Sequence, residues 1–300
     1  MLFLCSLSLL ALLAYRVPHL TAWQAQARVP ATGTQLQILI PLYNYPNWYD
    51  PNTYIWDDVA AANSQVPITA IINPNSGPGG GAPNADYVTG LGHLRDAGVT
   101  IVGYVPTNYG DRLASDVKAD VDLYDQHFNI HGIFFDEAAS GADKLSYYQD
   151  LYAYVKARPN LDKVIINPGV NVSEGYISAP ASDTAITFEN YSTEWPGYQP
   201  SAYMANYSAD RFAMLAHGVP DVATMQSHLD RAKACHIAYV YLTDDTLPNP
   251  WDTLPSFWSQ EVAYIQQLNL GRVYNELGLA STACTVADPD NFLYLPTIIR

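Results

Sequence analysis

The chain has 300 residues, of which 49% are hydrophobic and 14% are charged, and its formal net charge is −15 at pH 7. This length allows one large α/β domain or two ordinary domains, and the 14 lysines and arginines are too dispersed for a nucleic-acid-binding surface. An acidic balance suits a secreted protein and attracts cationic substrates, although solubility alone is the commoner reason for such a charge.

An apolar segment at residues 2–15 begins the chain, and a small-residue motif follows at residues 25–27. The segment is too short for a membrane span, which needs about 20 residues, and it matches a signal-peptide core. No Lys or Arg precedes it, so an uncleaved membrane anchor stays open as the alternative. We predict a signal peptide over residues 1–27 and a secreted, extracellular or cell-wall-associated protein that is free of the membrane after cleavage.

Short apolar runs alternate with segments of helical periodicity from residue 34 to residue 270. The apolar runs predict eight strands, at residues 36–42, 68–72, 99–105, 131–137, 164–166, 185–188, 212–215 and 238–242. Helical spacing predicts helices near residues 53–65, 86–97, 113–128, 145–156, 222–234 and 256–267. This alternation predicts an α/β protein with one domain, a (β/α)₈ TIM-type barrel over residues 34–270. No Gly-x-Gly-x-x-Gly follows a strand to favour a doubly wound sheet.

Two cysteines, Cys235 and Cys284, remain after the predicted signal peptide. In an oxidising compartment the simplest arrangement is a disulfide between them, which would hold the predicted C-terminal tail, residues 271–300, against the barrel. Cysteines this far apart do not form a zinc site, and no metal or cofactor is predicted. Three Asn-x-Ser sequons are N-glycosylation acceptors in a eukaryotic host, although such tripeptides also arise by chance: Asn171, Asn190 and Asn206.

The fourth predicted strand ends abruptly in two carboxylates, Asp136 and Glu137, after an apolar run. Buried charges there cost several kcal/mol unless they are paired, hydrated or used, so they predict an active site. Barrel enzymes place their chemistry at the C-terminal ends of strands, and strands four and six share the same parity, so Glu189 is the expected partner. Neighbours on a strand point to opposite faces, so Asp136 and Glu137 cannot both point inward without a bulge or loop. A helix cap or an ion pair is the structural alternative for any one of the three.

The other strands end in polar residues and in hydroxyl-bearing aromatic residues. Those that we predict to bind substrate are Tyr43, Tyr45, Asn73, Tyr104, Asn167 and Asp244. Flat rings stack on the apolar faces of sugars while amides and phenols hydrogen-bond their hydroxyls, so the set indicates a carbohydrate site. For Asp244, capping of the following segment is an equally good interpretation.

At these residues the sequence resembles the spherulation-specific family 4 (spherulin-4-like) proteins, which overlap glycoside hydrolase family 135. The matching segments are residues 40–43, 72–79, 103–110, 132–137, 167–169 and 188–189. The resemblance implies a secreted or surface-associated (β/α)₈ hydrolase, and characterised relatives cleave α-1,4-linked N-acetylgalactosamine within galactosaminogalactan of fungal walls and biofilm matrix. The acidic cluster of the family maps onto Asp136, Glu137 and Glu189.

Residues and resemblance together predict a monomeric, secreted, endo-acting glycosidase that cuts a galactosamine-containing polysaccharide with a carboxylate pair. In an α-linked 2-acetamido sugar the leaving group is cis to the acetamide, so the enzyme must supply its own nucleophile or base. By analogy with other α-glycosidase barrels, we assign Asp136 as nucleophile or base and Glu189 as general acid, with Glu137 orienting or tuning the pair. The alternative is a non-catalytic wall or matrix protein of the spherulin type that binds carbohydrate at the barrel mouth.

Overall fold

The structure is a computed structural model that describes residues 34–271 and Cys284. Eight parallel strands form a closed barrel in chain order, and β8 pairs with β1. The strands are β1 (Gln37–Leu42), β2 (Ile68–Ile72), β3 (Thr100–Pro106), β4 (Gly132–Asp136), β5 (Lys163–Ile166), β6 (Thr184–Tyr191), β7 (Phe212–His217) and β8 (Tyr239–Leu242). The helices are α1 (Trp56–Ala62), α2 (Ala85–Asp96), α3 (Ala114–His127), α4 (Leu145–Lys156), α5 (Gly175–Ser178), α6 (Val222–Ala234) and α7 (Trp258–Asn269). The predicted (β/α)₈ barrel is confirmed.

The strands are largely apolar because helices cover the outer face of the barrel while side chains fill its interior. All five residues of β2 and all five of β4 are buried. Gly103 on β3 allows α3 to lie close, since a Cβ atom there would come within 2.7 Å of the Tyr124 ring. The core therefore has two layers, one inside the barrel and one between the barrel and its helices.

Helix α1 is shorter than predicted, because its first predicted turn is used by the preceding loop. The backbone carbonyl of Asp50 accepts hydrogen bonds from the N–H groups of Thr53 and Tyr54, at 3.2 and 3.0 Å. Its carboxylate accepts from the N–H of Asn52 at 3.0 Å and from Thr53 Oγ1 at 3.1 Å. An Asp side chain that bonds the backbone two residues on favours a turn over a helix.

No α-helix joins β6 to β7, and the connection instead contains three short 3₁₀ turns at residues 195–197, 202–206 and 209–211. An aromatic cluster covers the outer face of β6 in place of a helix. The rings of Trp195 and Tyr198 stack at 5.0 Å, and Phe188 meets Trp195 edge-on at 4.9 Å. Arg231 of α6 ties the cluster to the barrel by donating to the Tyr198 carbonyl at 2.6 Å.

A disulfide joins Cys235, at the C-terminal end of α6, to Cys284, and it confirms the predicted pairing. Cys235 is buried, and Cys284 packs against the core. The predicted signal peptide lies outside the described residues, as does the predicted tail apart from Gly271 and Cys284. None of the helices in the described part of the chain combines the length and the hydrophobicity that crossing a bilayer requires.

Glu261 of α7 places a fully buried carboxyl group beside β8. Its Oε1 accepts from the backbone N–H of Leu242 at 3.1 Å, beyond the two residue pairs that join β8 to β1. Its Oε2 has no hydrogen-bond partner among the described residues. Burial raises the pKa of Glu261 well above its ordinary value, because a charged carboxylate would lose its hydration there. Glu261 is therefore a neutral acid that completes the hydrogen bonding of the last strand.

We predict that Glu261→Gln flattens the pH dependence of stability. Above the unfolded-state pKa of about 4.3 and up to the raised folded-state pKa, the folded protein holds a proton that the unfolded chain releases, so stability falls as pH rises. Glutamine keeps the oxygen that accepts from Leu242 and does not titrate. From pH 5 to pH 8, the melting temperature of the variant should rise relative to that of the wild type by at least about 2–4 °C. This corresponds to roughly 1 kcal/mol in the free energy of unfolding. If the melting temperatures of the wild type and the variant change with pH by the same amount, Glu261 is not a neutral acid in the folded protein.

Candidate active site

The amide of Asn167 brings together carboxylates from two strands at the C-terminal end of the barrel. Asp136 is the last residue of β4, Asn167 directly follows β5, and Glu189 lies near the end of β6. Asn167 Nδ2 donates to Asp136 Oδ1 at 2.8 Å and also to Glu189 Oε2. The two N–H bonds of an amide diverge, so oxygens that accept from one nitrogen lie about 5 Å apart. Two acidic side chains thus share one small volume.

This volume is largely shielded from solvent. Asp136 is 4% exposed and Asn167 is 7% exposed, while Glu189 is half-buried. The Asn167 oxygen is itself buried and accepts no hydrogen bond from the described residues. A buried acceptor without a partner lowers the free energy of unfolding by about 1–3 kcal/mol, and such unsatisfied groups are typical of functional sites.

A bulge in β6 turns Glu189 toward Asn167. The register of β6 against β7 shifts between Ile186 and Phe188. Thr187 Oγ1 accepts from the Tyr198 hydroxyl at 2.8 Å, and Phe188 packs on Trp195, so two successive residues face the outer aromatic cluster. The extra residue reverses the alternation beyond it, so Glu189 points into the barrel. The sequence predicts the position of Glu189 at this strand end but not the bulge.

Glu137 lies just beyond β4 and has a left-handed backbone, with φ of 50°. Its carbonyl accepts from the N–H of Tyr109 at 2.6 Å and from Thr107 Oγ1 at 2.8 Å. Asn108 and Tyr109 are also left-handed, with φ of 47° and 54°. This break in the strand is the local loop that the sequence requires if Asp136 and Glu137 are to serve one site. Left-handed non-glycine residues cost roughly 1–3 kcal/mol each and gather where function demands them.

Thr107 and Tyr148 brace the backbone of the two adjacent carboxylates, and sequence analysis missed both. Thr107 is fully buried and its Oγ1 also contacts the Asp136 carbonyl at 2.9 Å and the Tyr148 hydroxyl at 2.8 Å. The Tyr148 hydroxyl in turn accepts from the N–H of Ala139 at 2.9 Å. Burial raises the pKa of Tyr148, which keeps this network neutral. The available clue was the position of Thr107 directly after a strand.

Aromatic side chains form an apolar wall beside the carboxylates. Tyr43, at the end of β1, meets Tyr104 of β3 edge-on at 5.7 Å, and Tyr104 lies 6.0 Å from Phe134. Phe134 precedes Asp136 by two residues on β4, so both project from the same face of that strand. The predicted substrate-binding residues Tyr43 and Tyr104 therefore lie on the same side of the sheet as Asp136.

The remaining predicted substrate-binding residues organise loops around the opening. Asn73 Oδ1 accepts from the N–H of Gly77 at 3.0 Å, which fixes the start of the Gly/Pro-rich loop. Asp244 accepts from the N–H and the Oγ of Ser256, at 3.0 and 2.5 Å. These bonds hold the loop that leads into α7, but the N-cap residue of that helix is Phe257 and no side chain caps it, so Asp244 is not a helix cap. Tyr45 lies exposed at the rim. Contact of these residues with substrate stays a prediction.

Negative charge is concentrated at this end of the barrel. The segments that follow the strands are residues 43–55, 73–84, 107–113, 137–144, 167–174, 192–201, 218–221 and 243–257. They contain ten acidic and two basic residues, and both basic residues are ion-paired: Arg112 with Asp120 at 2.7 Å and Lys144 with Asp111 at 2.6 Å. Among the described residues, no group of three or more His, Cys, Asp or Glu side chains is arranged to hold a metal ion.

Three comparisons relate the chain to known proteins. The model of spherulation-specific family 4 (Spherulin4) matches residues 37–265, which is nearly the whole barrel. Spherulin-4 of Physarum polycephalum is 34% identical over 250 residues, covering 80% of this chain and 74% of that protein. The crystal structure of Aspergillus clavatus Sph3 in complex with GalNAc has a TM-score of 0.68 and 25% identity, covering 78% of this chain and 98% of that chain.

We predict that Asn167→Asp destabilises the protein in a pH-dependent way. A third carboxylate between Asp136 and Glu189 removes two hydrogen bonds and adds repulsion, so the free energy of unfolding at pH 7 should fall by at least about 2 kcal/mol. The carboxylate introduced at position 167 is repelled by its acidic neighbours, so it takes up a proton more readily and the loss of stability shrinks as pH falls toward 4. Denaturant unfolding at both pH values measures this.

The control is Asn167→Ala, which removes the donor but adds no charge. Its loss of unfolding free energy should therefore shrink less than that of Asn167→Asp as pH falls. A variant Asn167→Asp as stable as the wild type at pH 7 would mean that the three side chains do not share one volume.

Proposed function

The chain belongs to spherulation-specific family 4, and from this premise we propose that it is a secreted glycoside hydrolase acting within a galactosamine-containing polysaccharide. The observation that carries the proposal is the single amide of Asn167 shared between Asp136 and Glu189. Glycosidic cleavage needs two carboxyl groups on either side of one bond, and here two strands deliver them to the same opening.

The amide that Asp136 and Glu189 share keeps their carboxyl groups close together, which favours a double displacement. Retaining glycosidases hold their carboxyl groups about 5–5.5 Å apart, and inverting enzymes hold theirs about 6.5–9.5 Å apart to admit water between them. Asp136 attacks the anomeric carbon while Glu189 protonates the leaving oxygen, and the glycosidic C–O bond breaks. Glu189 then takes a proton from water, whose oxygen displaces Asp136 from the sugar. The product keeps the configuration of the substrate.

The surroundings of the pair suit these roles. Asp136 is nearly buried, so water competes little for its oxygen, whereas Glu189 is half-buried and is the more accessible of the two to a leaving group. Asn167 donates to both and so holds them in a defined arrangement. Glu137, held by its backbone contacts with Thr107 and Tyr109, orients or tunes the pair.

Two features support a hexosamine polymer as the substrate. The wall of Tyr43, Tyr104 and Phe134 offers apolar surface to the C–H face of a sugar ring. The acidic mouth attracts a polymer that carries free amino groups, as partly deacetylated galactosaminogalactan does. That Sph3 of Aspergillus clavatus was crystallised with GalNAc agrees with this class of sugar.

We predict that Glu189→Gln and Asp136→Asn each lower kcat on galactosaminogalactan by at least about 10²–10⁴-fold, because each removes a group that carries charge or a proton in the transition state. Release of reducing ends measures turnover, and NMR of the first product gives its anomeric configuration. Affinity electrophoresis in polymer-containing gels should show that both variants still bind.

Glu194→Gln is the matched control, since Glu194 is an exposed acid in the segment that follows the same strand. It should retain wild-type turnover. Binding of the polymer by the wild-type protein without any release of oligosaccharide would overturn hydrolysis and favour a carbohydrate-binding matrix protein.

A further inference from the structure

Exposed aromatic rings gather at one end of the barrel. Among the described residues, the tyrosines and tryptophans classed as exposed all lie in or beside the segments that follow strands, and they are Tyr45, Trp48, Tyr49, Tyr109 and Tyr191. The tyrosines of the outer helix α4 are instead buried or half-buried and pack against the barrel. Exposed apolar patches of this kind mark binding surfaces.

Three of these residues form what we call the aromatic rim, Tyr45, Trp48 and Tyr49, in the loop between β1 and α1. Trp48 is 49% exposed and Tyr49 is 62% exposed, and their rings meet at 5.8 Å. Neither ring contributes its full area to the core. Their exposure therefore calls for a reason other than stability of the fold.

One carboxylate at the start of α2 holds two members of the rim in place. Asp86 Oδ2 accepts from the Tyr45 hydroxyl at 2.7 Å, and Asp86 Oδ1 accepts from Trp48 Nε1 at 3.1 Å. Asn84 Nδ2 donates to the same hydroxyl at 2.9 Å, and the Tyr45 ring meets Tyr87 edge-on at 5.6 Å. The polar tip of Trp48 is thus satisfied within the protein, so a ligand meets only the face of its indole ring.

The aromatic rim lies close in the chain to a residue of the candidate active site. Tyr43 contacts Tyr104 beside the carboxylates and begins the loop that carries Trp48. Five residue steps separate Tyr43 from Trp48, so their Cα atoms lie no more than about 18 Å apart. A polymer that occupies the active site and extends along this loop reaches the rim within a few sugar units.

The chemistry of the rim selects the occupant. The C–H face of a pyranose ring stacks on an indole or phenol ring whose polar tip is already engaged. Two acids, Asp50 and Asp86, belong to the same surroundings, and the loop of residues 43–55 contains no Lys or Arg. An amino sugar combines an apolar ring face with positive charge, which fits this surface better than an acidic or neutral partner does.

We propose that Trp48 and Tyr49 form a distal subsite that binds a hexosamine unit of the polysaccharide outside the catalytic carboxylates. This inference rests on the proposed function, and it adds that the protein recognises long chains better than short oligosaccharides. Binding at a distance from the reacting bond raises affinity without changing the chemical step, so the subsite acts on KM.

The test compares Trp48→Ala and Tyr49→Ala with Val88→Ala, which shortens an exposed apolar side chain on α2 two residues from Asp86. Affinity for galactosaminogalactan chains and for a galactosamine trisaccharide is measured by calorimetry in the Glu189→Gln background, which prevents turnover. Trp48→Ala should weaken binding of long chains about tenfold and leave the trisaccharide unchanged, whereas Val88→Ala alters neither. Trp48→Phe should retain most of the affinity. Thermal melting checks that each variant is folded.

Turnover gives an independent readout. With Glu189 intact, Trp48→Ala should raise KM for long chains several-fold at unchanged kcat. Unchanged affinity and KM on long chains would overturn the distal subsite while leaving hydrolysis intact. If Trp48→Ala weakens binding of the trisaccharide as much as binding of the polymer, the subsite is not distal to the catalytic carboxylates.

The outcomes also separate the subsite from the hydrolase proposal. Trp48-dependent binding of long chains by a protein that releases no oligosaccharide would support the subsite and overturn hydrolysis. A wild-type protein that neither binds nor cleaves the polymer would overturn both.

Discussion

The candidate site depends on one constraint, which is that two carboxyl groups must lie side by side in a poorly hydrated space. Asn167 meets it by donating both hydrogens of one amide, one to Asp136 and one to Glu189. The barrel makes this arrangement possible because β5 lies between β4 and β6, so the residue after β5 reaches both neighbours. A Lys or Arg side chain in this place would form ion pairs with the carboxyl groups and change their acidity. The neutral amide holds both groups in place and still allows them to exchange protons with a substrate.

The protein accepts local strain and unusual connections to maintain this arrangement. Asn108, Tyr109 and Glu137 have left-handed backbones around the carboxylates, and the bulge in β6 interrupts an otherwise regular ladder. Such departures from regular geometry are expected at functional sites, where surrounding packing over-determines the strained residues. Here Thr107, fully buried between two carbonyls and the Tyr148 hydroxyl, is the packed and hydrogen-bonded support.

The sequence alone predicts those features that periodicity and strand ends encode. The eight strands, the closed barrel and the pairing of Cys235 with Cys284 follow from apolar runs and from counting cysteines. Features that arise from contacts between distant residues do not follow from the sequence. The late start of α1 depends on a turn at Asp50, and the cover of β6 by Trp195 and Tyr198 takes the place that a helix has in the regular β/α alternation. The shared role of Asn167 likewise emerges only when three strands are assembled.

The disulfide has a consequence for how the molecule responds to damage. The covalent loop from Cys235 to Cys284 encloses β8 and α7, the elements that complete the barrel, including Glu261 and its bond to Leu242. A protease that cuts once within this loop leaves both fragments linked through sulfur, so the last strand cannot diffuse away from β1. Such a nicked molecule would migrate as one chain until a reductant is added, and the extracellular setting that we propose contains proteases but little reductant.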